Sequence, residues 1–229
     1  MDQLDRYAKR AEDYSAFRPA YSPNAFATMS ALVGLEPDWV LADIGSGTGN
    51  ALKYLLDRVR TVYAVEPSTQ MRAAAERRFG THQAFRSVDA FAEDTHLPEQ
   101  SVDLIVVGQA LHWFDAPRAR REFDRILRAR GWLATVWNQF DGTAPPDLGG
   151  WFAPADQVHR RFAMSINETW DQYIGGARSA AGSPLPGDPS YQQFEETHRT
   201  RFHAQAIAGL LEVRYTTELI VGRLARPVS

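Results

Sequence analysis

Short apolar segments alternate with amphipathic ones between Trp39 and Trp137, and this alternation restricts the possible folds more than any other feature. The apolar segments predicted to be β-strands are residues 40–44, 61–65, 84–88, 102–107 and 132–137. Several are almost continuously apolar, which is typical of parallel strands covered on both faces. The pattern therefore predicts an open, doubly wound α/β sheet with right-handed crossovers.

The segments between these strands have helical periodicity. In residues 119–127 the apolar side chains recur at the spacing of one helix face. Residues 68–79 have a similar pattern, with Ser68 as the expected N-cap. A further helix is expected from Gly49 to Asp57. Before the first strand, residues 4–36 predict two helices interrupted at Arg18-Pro19, because proline disfavours helix in the residue before it.

The C-terminal part of the chain has a weaker pattern. Residues 138–196 are rich in glycine, proline and aromatic residues. Within them we expect a strand over 158–166 and a short helix that Asn167 caps and that runs to Ile174. The aromatic residues and His198 between positions 191 and 202 have helical spacing, and residues 213–221 alternate as in a final strand.

We interpret the chain as a single domain with four parts. These are an N-terminal helical lid (1–36), a core (37–137), a substrate-side cap (138–210) and a final strand (211–229).

Composition argues against several classes of function. The net charge of −3 among 229 residues argues weakly against binding to nucleic-acid phosphates. The absence of cysteine excludes disulfides, thiolate nucleophiles and cysteine-ligated zinc, and the histidines lack the spacing of a metal site. No apolar run approaches the ~20 residues that cross a bilayer, and the N-terminus has no secretion signal. We therefore expect a cytoplasmic monomer or homodimer without membrane or nucleic-acid partners.

The sharpest local signal is the segment Asp43-Ile44-Gly45-Ser46-Gly47-Thr48-Gly49, which follows the first strand. In doubly wound sheets, ligands bind beyond the carboxyl ends of the strands. Glycines let the backbone turn tightly and approach a ligand closely. This position after a strand makes the glycine pattern a candidate ligand-binding loop.

Two further acids follow the next two strands. Glu66 comes directly after the second strand, where a carboxylate can accept hydrogen bonds from both hydroxyls of a ribose. Asp89, followed by Ala90, ends the third strand, where a carboxylate can accept from an adenine amino group. The loop and Glu66 fit NAD as well as S-adenosylmethionine. Against an NAD-dependent oxidoreductase, Asn50 stands where the dinucleotide motif has its last glycine, and Asp43 is unexpected there.

Four segments, in this order and spacing, resemble the class I S-adenosylmethionine-dependent methyltransferases. They are ADIGSGTGN (42–50), YAVEPS (63–68), SVDAFAED (87–94) and QALHWFD (109–115). More narrowly, the chain resembles the small-molecule branch that includes trans-aconitate methyltransferases, and DYSAFRPAY (13–21) also matches that branch. The segment between Trp137 and Trp170 looks shortened, so the substrate of that branch cannot be carried over.

The resemblance implies a fold and a cofactor. The fold is α/β: a Rossmann-like, doubly wound, mostly parallel seven-stranded sheet with N-terminal helices and a C-terminal helical cap. The cofactor is S-adenosylmethionine. The glycine loop would lie beside its methionine part, Glu66 would bind the ribose and Met71 would pack on the adenine. Tyr14 and Arg18 would close over it, with Arg18 paired to its carboxylate. The residues implied to bind the cofactor are Tyr14, Arg18, Asp43, Gly45, Ser46, Gly47, Gly49, Glu66, Pro67, Met71, Asp89, Ala90, Gln109, Ala110 and Trp113.

The expected function is methyl transfer, by in-line displacement, to an oxygen, nitrogen or carbon nucleophile of a small molecule. Holding the nucleophile, methyl group and sulfur in line can supply ~7–11 kcal/mol of the barrier reduction. His112 is the candidate general base; alternatively, it orients its loop or hydrogen-bonds the cofactor. The candidate substrate residues are Tyr21, Trp113, Trp137, Asn138, Trp170 and Arg178. Arg178 is the expected cation if the acceptor is a carboxylic acid. A cofactor-binding protein that transfers no methyl group, such as a sulfonium-assisted cyclase, is the remaining alternative.

Overall fold

A computed structural model of the protein describes residues 17–140, 150–180 and 182–225. Its strands are β1 (Val40–Ile44), β2 (Thr61–Val65), β3 (Phe85–Val88), β4 (Val102–Gly108), β5 (Leu127–Phe140), β6 (Phe152–Glu168) and β7 (Leu211–Leu224). Its α-helices are α1 (Pro23–Val33), α2 (Thr69–Phe79), α3 (Ala116–Ile126), α4 (Trp170–Arg178) and α5 (Tyr191–Gln205).

The described strands form one seven-stranded sheet in the order β3-β2-β1-β4-β5-β7-β6. The first five strands pair in parallel, and β7 is antiparallel to both β5 and β6. This is the doubly wound, mostly parallel α/β sheet that the sequence predicts. The carboxyl ends of β1, β2, β4 and β5 consequently lie along one edge, where such sheets bind ligands.

The core fills both faces of the sheet. On one face, Phe26 and Met29 of α1 are fully buried; on the other, Phe123 and Ile126 of α3 are fully buried. The central strands carry apolar side chains towards both layers, so all five residues of β1 are buried. This two-sided burial is the reason that their sequences are continuously apolar.

The helix predicted for residues 49–57 is wrong. The chain forms two short 3₁₀ helices there, Leu52–Tyr54 and Leu56–Arg58, with backbone hydrogen bonds between residues three apart. A 3₁₀ helix rises about 2.0 Å per residue against about 1.5 Å for an α-helix, so a short segment returns further across the sheet. The predicted strands are present, with β5, β6 and β7 extending beyond their expected ends. The helical patterns of residues 68–79, 119–127 and 191–202 correspond to α2, α3 and α5.

The predicted cap at Asn167 is also wrong. Asn167 is still extended, because it pairs with Glu212 in the β6–β7 ladder. Helix α4 is capped instead by Thr169, whose hydroxyl accepts from the backbone N–H of Gln172 at 3.4 Å. The Gln172 side chain accepts from the backbone N–H of Thr169 at 2.9 Å, which completes a capping box.

The segments before and after the core are only partly helical within the described residues. Of the two helices predicted in residues 4–36, the second is α1, which begins at Pro23. The first falls largely on residues 1–16, outside the described part of the chain. Residues 17–22, which we call the strap, lead into α1. In the segment 138–210, β6 joins the sheet. Helices α4 and α5 follow β6 and precede β7 along the chain.

Candidate functional site

The glycine loop follows β1 and turns through three left-handed positions. Gly45, Gly47 and Gly49 have φ angles of +68°, +56° and +84°. A Cβ on Gly45 would lie 2.7 Å from the Cβ of Ala110, so this glycine lets the loop pack on the segment after β4. A Cβ on Gly47 would have no described atom within 4 Å. The backbone at Gly47 therefore borders open space, as a ligand-binding loop requires.

Glu66 ties this loop to the next helix. Its buried carboxylate accepts from the backbone N–H of Gly47 through Oε2 and from that of Ser68 through Oε1, both at 2.9 Å. Burial raises the pKa of Glu66, while these two hydrogen bonds and the charge of Arg72 oppose the rise. Each carboxylate oxygen has a second lone pair, so Glu66 can still accept from a ligand hydroxyl.

Asp43 lies beneath the loop and is only 1% exposed. Burial, followed by the negative charge of Glu66, raises the pKa of Asp43 to about 7. Within the described ranges, its Oδ2, the Oγ of Ser46 and the Oγ1 of Thr48 are buried without a hydrogen-bond partner. Buried polar atoms are normally paired. Three orphaned atoms around one open loop therefore indicate the binding site of a polar ligand.

The third predicted acid, Asp89, is engaged by an arginine that the sequence analysis did not identify. Arg72 of α2 donates to both oxygens of Asp89, at 3.0 and 2.8 Å, and to the backbone carbonyl of Glu66 at 2.9 Å. This fork joins the ends of β2 and β3. Arg78 similarly donates to the carbonyl of Thr48 at 2.8 Å, which supports the glycine loop. The sequence offers one indication of these contacts: both arginines belong to the helix that follows Glu66.

The other residues expected around an adenine lie at the same edge. Pro67 precedes the Ser68 cap of α2, Met71 is in the first turn of that helix and Ala90 follows Asp89. Met71 and Ala90 are both buried. The structure therefore places the predicted adenine residues between the ends of β2 and β3.

The exit of β4 gathers the candidate catalytic residue and two tryptophans. Gln109 has a φ of +54°, unusual for a side chain other than glycine, and its N–H donates to the carbonyl of Val136 at 3.0 Å. The ring centroid of His112 lies 4.1 Å from that of Trp113 and 5.0 Å from that of Trp137. Burial, and then the charge of Arg18, lowers the pKa of His112, so its imidazole is held in the neutral form.

The strap brings Arg18 and Tyr21 to this edge. Asn138 donates from Nδ2 to the carbonyls of Pro19 and Ala20, both at 3.1 Å. Tyr21 is buried, and its hydroxyl lies against Gly108 at the end of β4. The charge of Arg18 acts on both His112 and Tyr215. Arg18 therefore lies close to the exit of β4, at His112, and to the first half of β7, at Tyr215. Tyr14, predicted to close over the cofactor, is outside the described residues.

The side chains of three predicted substrate residues are already bound to other parts of the protein. Asn138 is buried and uses its amide to hold the strap. Trp170 packs against Phe202, with ring centroids 5.5 Å apart, and below the guanidinium of Arg199. Arg178 forms an ion pair with Glu195 of α5 at 3.5 Å. Trp170 and Arg178 thus join α4 to α5, whereas Trp137 stays beside His112.

Two buried residues near the site were not predicted. The hydroxyl of Tyr215 in β7 donates to Oε1 of Glu168 at 2.9 Å, and both side chains are less than 10% exposed. They are 47 positions apart in the sequence, and only the pairing of β6 with β7 brings them together.

None of the helices within the described ranges combines the length and the apolar character needed to span a membrane.

Residues 42–135, which contain the glycine loop, Glu66, Asp89 and His112, match the sequence model of a family described as "Methyltransferase domain". The matched part of the chain is similar to methyltransferase domains. Such domains use S-adenosylmethionine as the methyl donor.

Named relatives agree with this assignment. An uncharacterized methyltransferase of Mycobacterium tuberculosis is 34% identical over 135 residues, which cover 56% of this chain and 50% of that protein. The chain thus spans about half the length of the first curated relatives it matches. A malonyl-[acyl-carrier protein] O-methyltransferase of Marinomonas is 27% identical over 187 residues, covering 80% of this chain and 67% of that protein.

A solved structure extends the likeness in fold to most of the chain. A protein of Anaeromyxobacter dehalogenans, provisionally assigned as a type II methyltransferase, superposes with a TM-score of 0.66 at 22% identity. The alignment covers 90% of this chain and 98% of that protein. This likeness concerns the fold, because the identity is low.

The described residues fit S-adenosylmethionine. The orphaned Oδ2 of Asp43 is a hydrogen-bond acceptor, and the hydroxyls of Ser46 and Thr48 can donate or accept. The open side of Gly47 leaves room for the ligand, and the free lone pairs of Glu66 match the hydroxyls of a ribose.

Proposed function

We propose that the protein transfers a methyl group from S-adenosylmethionine to an oxygen, nitrogen or carbon nucleophile of a small molecule. The observation that carries this proposal is the set of three buried, unpaired polar atoms on Asp43, Ser46 and Thr48 beside the open backbone of Gly47. Because these atoms lie within the methyltransferase domain, the polar ligand that satisfies them is proposed to be the cofactor.

We assign the binding roles as follows. The loop from Gly45 to Gly49, with Asp43, holds the methionine part of the cofactor, and Glu66 accepts from the ribose hydroxyls. Pro67, Met71, Asp89 and Ala90 surround the adenine. Since Arg72 occupies both oxygens of Asp89, that carboxylate acts mainly by fixing the wall of the adenine pocket.

At the other end of the pocket, Gln109, Ala110 and Trp113 are proposed to lie beside the reacting methyl group. Arg18 pairs with the carboxylate of the cofactor, and Tyr14 closes over it. The strap supports this role, since Asn138 holds it within reach of the strand ends.

The cofactor supplies an already activated methyl group on a positively charged sulfur. The protein then has to orient the acceptor and exclude water, which supplies most of the rate enhancement in such a displacement. The rings of Trp113 and Trp137 form a wall that suits a positive charge. His112 lies between them and is held neutral, so it does not repel that charge.

The proposed branch is the small-molecule one, which the likeness of residues 13–21 supports. The trans-aconitate substrate itself is not proposed, because Arg178, the cation expected for a carboxylic acid, is paired with Glu195.

Calorimetric titration with S-adenosylhomocysteine tests the cofactor assignment, with NADH as the comparison. We expect binding of the first and none of the second. Incubation of cell extracts with the protein and methyl-labelled S-adenosylmethionine, followed by mass spectrometry, then tests transfer. Binding of NADH alone would overturn the proposal. Tight binding of S-adenosylhomocysteine with no labelled product would indicate the alternative that transfers no methyl group.

A further inference from the structure

A buried hydroxyl–carboxylate pair lies at the same edge of the sheet as the proposed cofactor pocket and has no part in that pocket. The pair consists of Tyr215 and Glu168, whose side chains are 3% and 7% exposed. The Tyr215 hydroxyl donates to Glu168 at 2.9 Å, so its own oxygen lone pairs are free to accept. Burying a carboxylate is costly unless it is paired, and a structural position could be filled by apolar residues at lower cost.

The position of the pair follows from the sheet. Tyr215 is opposite Phe140 in the β5–β7 ladder, and their ring centroids are 4.7 Å apart. Phe140 ends β5, so Tyr215 lies at the same edge as the glycine loop. Beyond that point, β6 and β7 continue together for several residues, and Glu168 ends this extension.

The strap and helix α4 lie close to the pair. The charge of Arg18 acts on Tyr215 as well as on His112, so this residue of the strap lies near both side chains. A side chain at Gly175 of α4 would overlap the ring of Phe17, which shows that the strap packs directly on α4. The pair thus lies under a roof formed by the strap and the α4–α5 segment.

We propose that Tyr215 and Glu168 form the acceptor subsite and that this subsite selects a neutral, hydroxyl-bearing small molecule over a carboxylate. This inference rests on the proposed methyl transfer and names its substrate class. The acceptor hydroxyl donates to the Tyr215 oxygen, which donates in turn to Glu168. A buried negative charge at this position repels a carboxylate acceptor.

The surrounding charges are consistent with these roles. Burial raises the pKa of Glu168, and the hydrogen bond from Tyr215 opposes the rise. Burial and the negative charge of Glu168 raise the pKa of Tyr215, so its hydroxyl stays protonated and keeps donating. Among the described residues, Arg18 of the strap and Tyr173 of α4 act on Tyr215, and Arg201 of α5 bonds in turn to Tyr173. His198 of α5 also contacts the Tyr173 hydroxyl, at 3.0 Å.

The pair also supplies a destination for the acceptor proton. As the bond from the acceptor oxygen to the methyl carbon forms, the carbon–sulfur bond breaks and its electrons neutralise the sulfonium. The acceptor proton passes to the Tyr215 oxygen, and the Tyr215 proton passes to Glu168, which ends neutral. Tyr215 is then a catalytic residue, and Glu168 acts through it.

The test uses the protein saturated with S-adenosylhomocysteine and two probes that share a 4-methylphenyl group, 4-methylphenol and 4-methylbenzoate. Near neutral pH the first is uncharged and the second is an anion, since phenols titrate near about pH 10 and carboxylic acids near about pH 4. We expect calorimetry to give at least about tenfold tighter binding of the phenol. Equal binding, preference for the benzoate or binding of neither probe would overturn the inference.

Two variants identify the groups responsible. Glu168→Gln keeps the shape and removes the charge, so it should reduce the preference for the phenol by about tenfold. Tyr215→Phe should weaken the binding of the phenol and leave the binding of the benzoate unchanged. Glu212→Gln, which removes an exposed charge of the same strand as Tyr215, is the matched control and should keep the wild-type ratio.

Binding of S-adenosylhomocysteine separates the two proposals. If it is absent in the wild-type protein, the proposed function fails; if it is present while the probe ratio does not respond to Glu168→Gln and Tyr215→Phe, only the acceptor subsite fails. Unchanged S-adenosylhomocysteine binding in the variants also shows that they fold.

Discussion

The hydroxyl of Thr217 donates to Oδ1 of Asn138 at 2.6 Å and accepts from the backbone N–H of Ser22 at 3.0 Å. Asn138 uses its Nδ2 for the carbonyls of Pro19 and Ala20. One threonine of β7 and one asparagine of β5 therefore bond to each other and to three backbone groups of the strap, which fastens the strap to the sheet. This explains why a buried asparagine stands at the end of a central strand.

Thr217→Val should remove this fastening without changing the shape of the side chain. It leaves Asn138 and the N–H of Ser22 without their partner, so we expect a loss of about 1–3 kcal/mol in the free energy of unfolding. Binding of S-adenosylhomocysteine should weaken as well, because the strap carries Arg18. Thr216→Val, one residue away on the opposite face, should stay within about 0.5 kcal/mol of wild type. Chemical denaturation measures the free energy of unfolding, and calorimetry measures binding of S-adenosylhomocysteine. If the two variants have the same stability and affinity, Thr217 does not fasten the strap.

Gly47 and Gly34 form a matched pair for testing the loop. Both have left-handed φ angles, +56° and +66°, and at neither would an added Cβ have a described atom within 4 Å. Alanine at either position should therefore cost about 1–2 kcal/mol of stability. Gly34 follows the last residue of α1, whereas Gly47 borders the proposed cofactor. Only Gly47→Ala should lose S-adenosylhomocysteine binding, by about tenfold or more. Unchanged affinity in Gly47→Ala would show that the ligand does not approach this backbone.

The sequence predicts the core of the fold well because the decisive information there is local. β1 and β2 have the predicted bounds, since each is a short run of mostly buried side chains. Ser68 accepts from the N–H of Met71 as an N-cap should. The positive φ angles of the loop also follow from its glycines. In these cases a few neighbouring residues determine the conformation.

The sequence predicts less where distant segments meet. Arg72 and Asp89 are 17 positions apart, and Tyr215 and Glu168 are 47 apart, so neither pair has a local signal. Asn167 and Thr169 are both acceptable helix caps, and only the continued pairing of Asn167 in β6 decides between them. Arg178 is the residue expected to bind a carboxylic acid, but it pairs with Glu195 of α5. The periodicity of the sequence does not indicate which helix packs beside it.

Asp43 should make the ligand-free protein less stable as the pH rises. Its pKa is about 7 in the folded protein against 3.8 as the ordinary value, so the unfolded chain loses this proton first. Stability is therefore lost progressively between about pH 4 and pH 7, on the order of a few kcal/mol. Asp43→Asn removes this dependence and should be more stable than wild type above pH 7, yet bind S-adenosylhomocysteine more weakly. Melting temperatures are measured for both proteins between about pH 4 and pH 7. If the two melting temperatures change equally with pH, the raised pKa of Asp43 is contradicted.

The electrostatic contact between Arg18 and His112 provides a measurement of where the strap lies. Burial is the larger cause of the lowered pKa of His112, and the charge of Arg18 is the second. Arg18→Gln should therefore raise the pKa of His112 part of the way towards its ordinary value of 6.5, whereas Arg18→Lys, which keeps the charge, should hold it low. Imidazole NMR shifts followed against pH report this directly.

The same contact affects stability in the acid range. A histidine whose pKa is lowered by folding binds its proton more readily in the unfolded chain, so its contribution to stability is lost as the pH falls below 6.5. Arg18→Gln should reduce this acid sensitivity, because it narrows the gap between the folded and unfolded pKa values. If the pKa of His112 is the same in Arg18→Gln as in wild type, Arg18 does not reach the exit of β4, and its proposed pairing with the cofactor carboxylate loses its structural support.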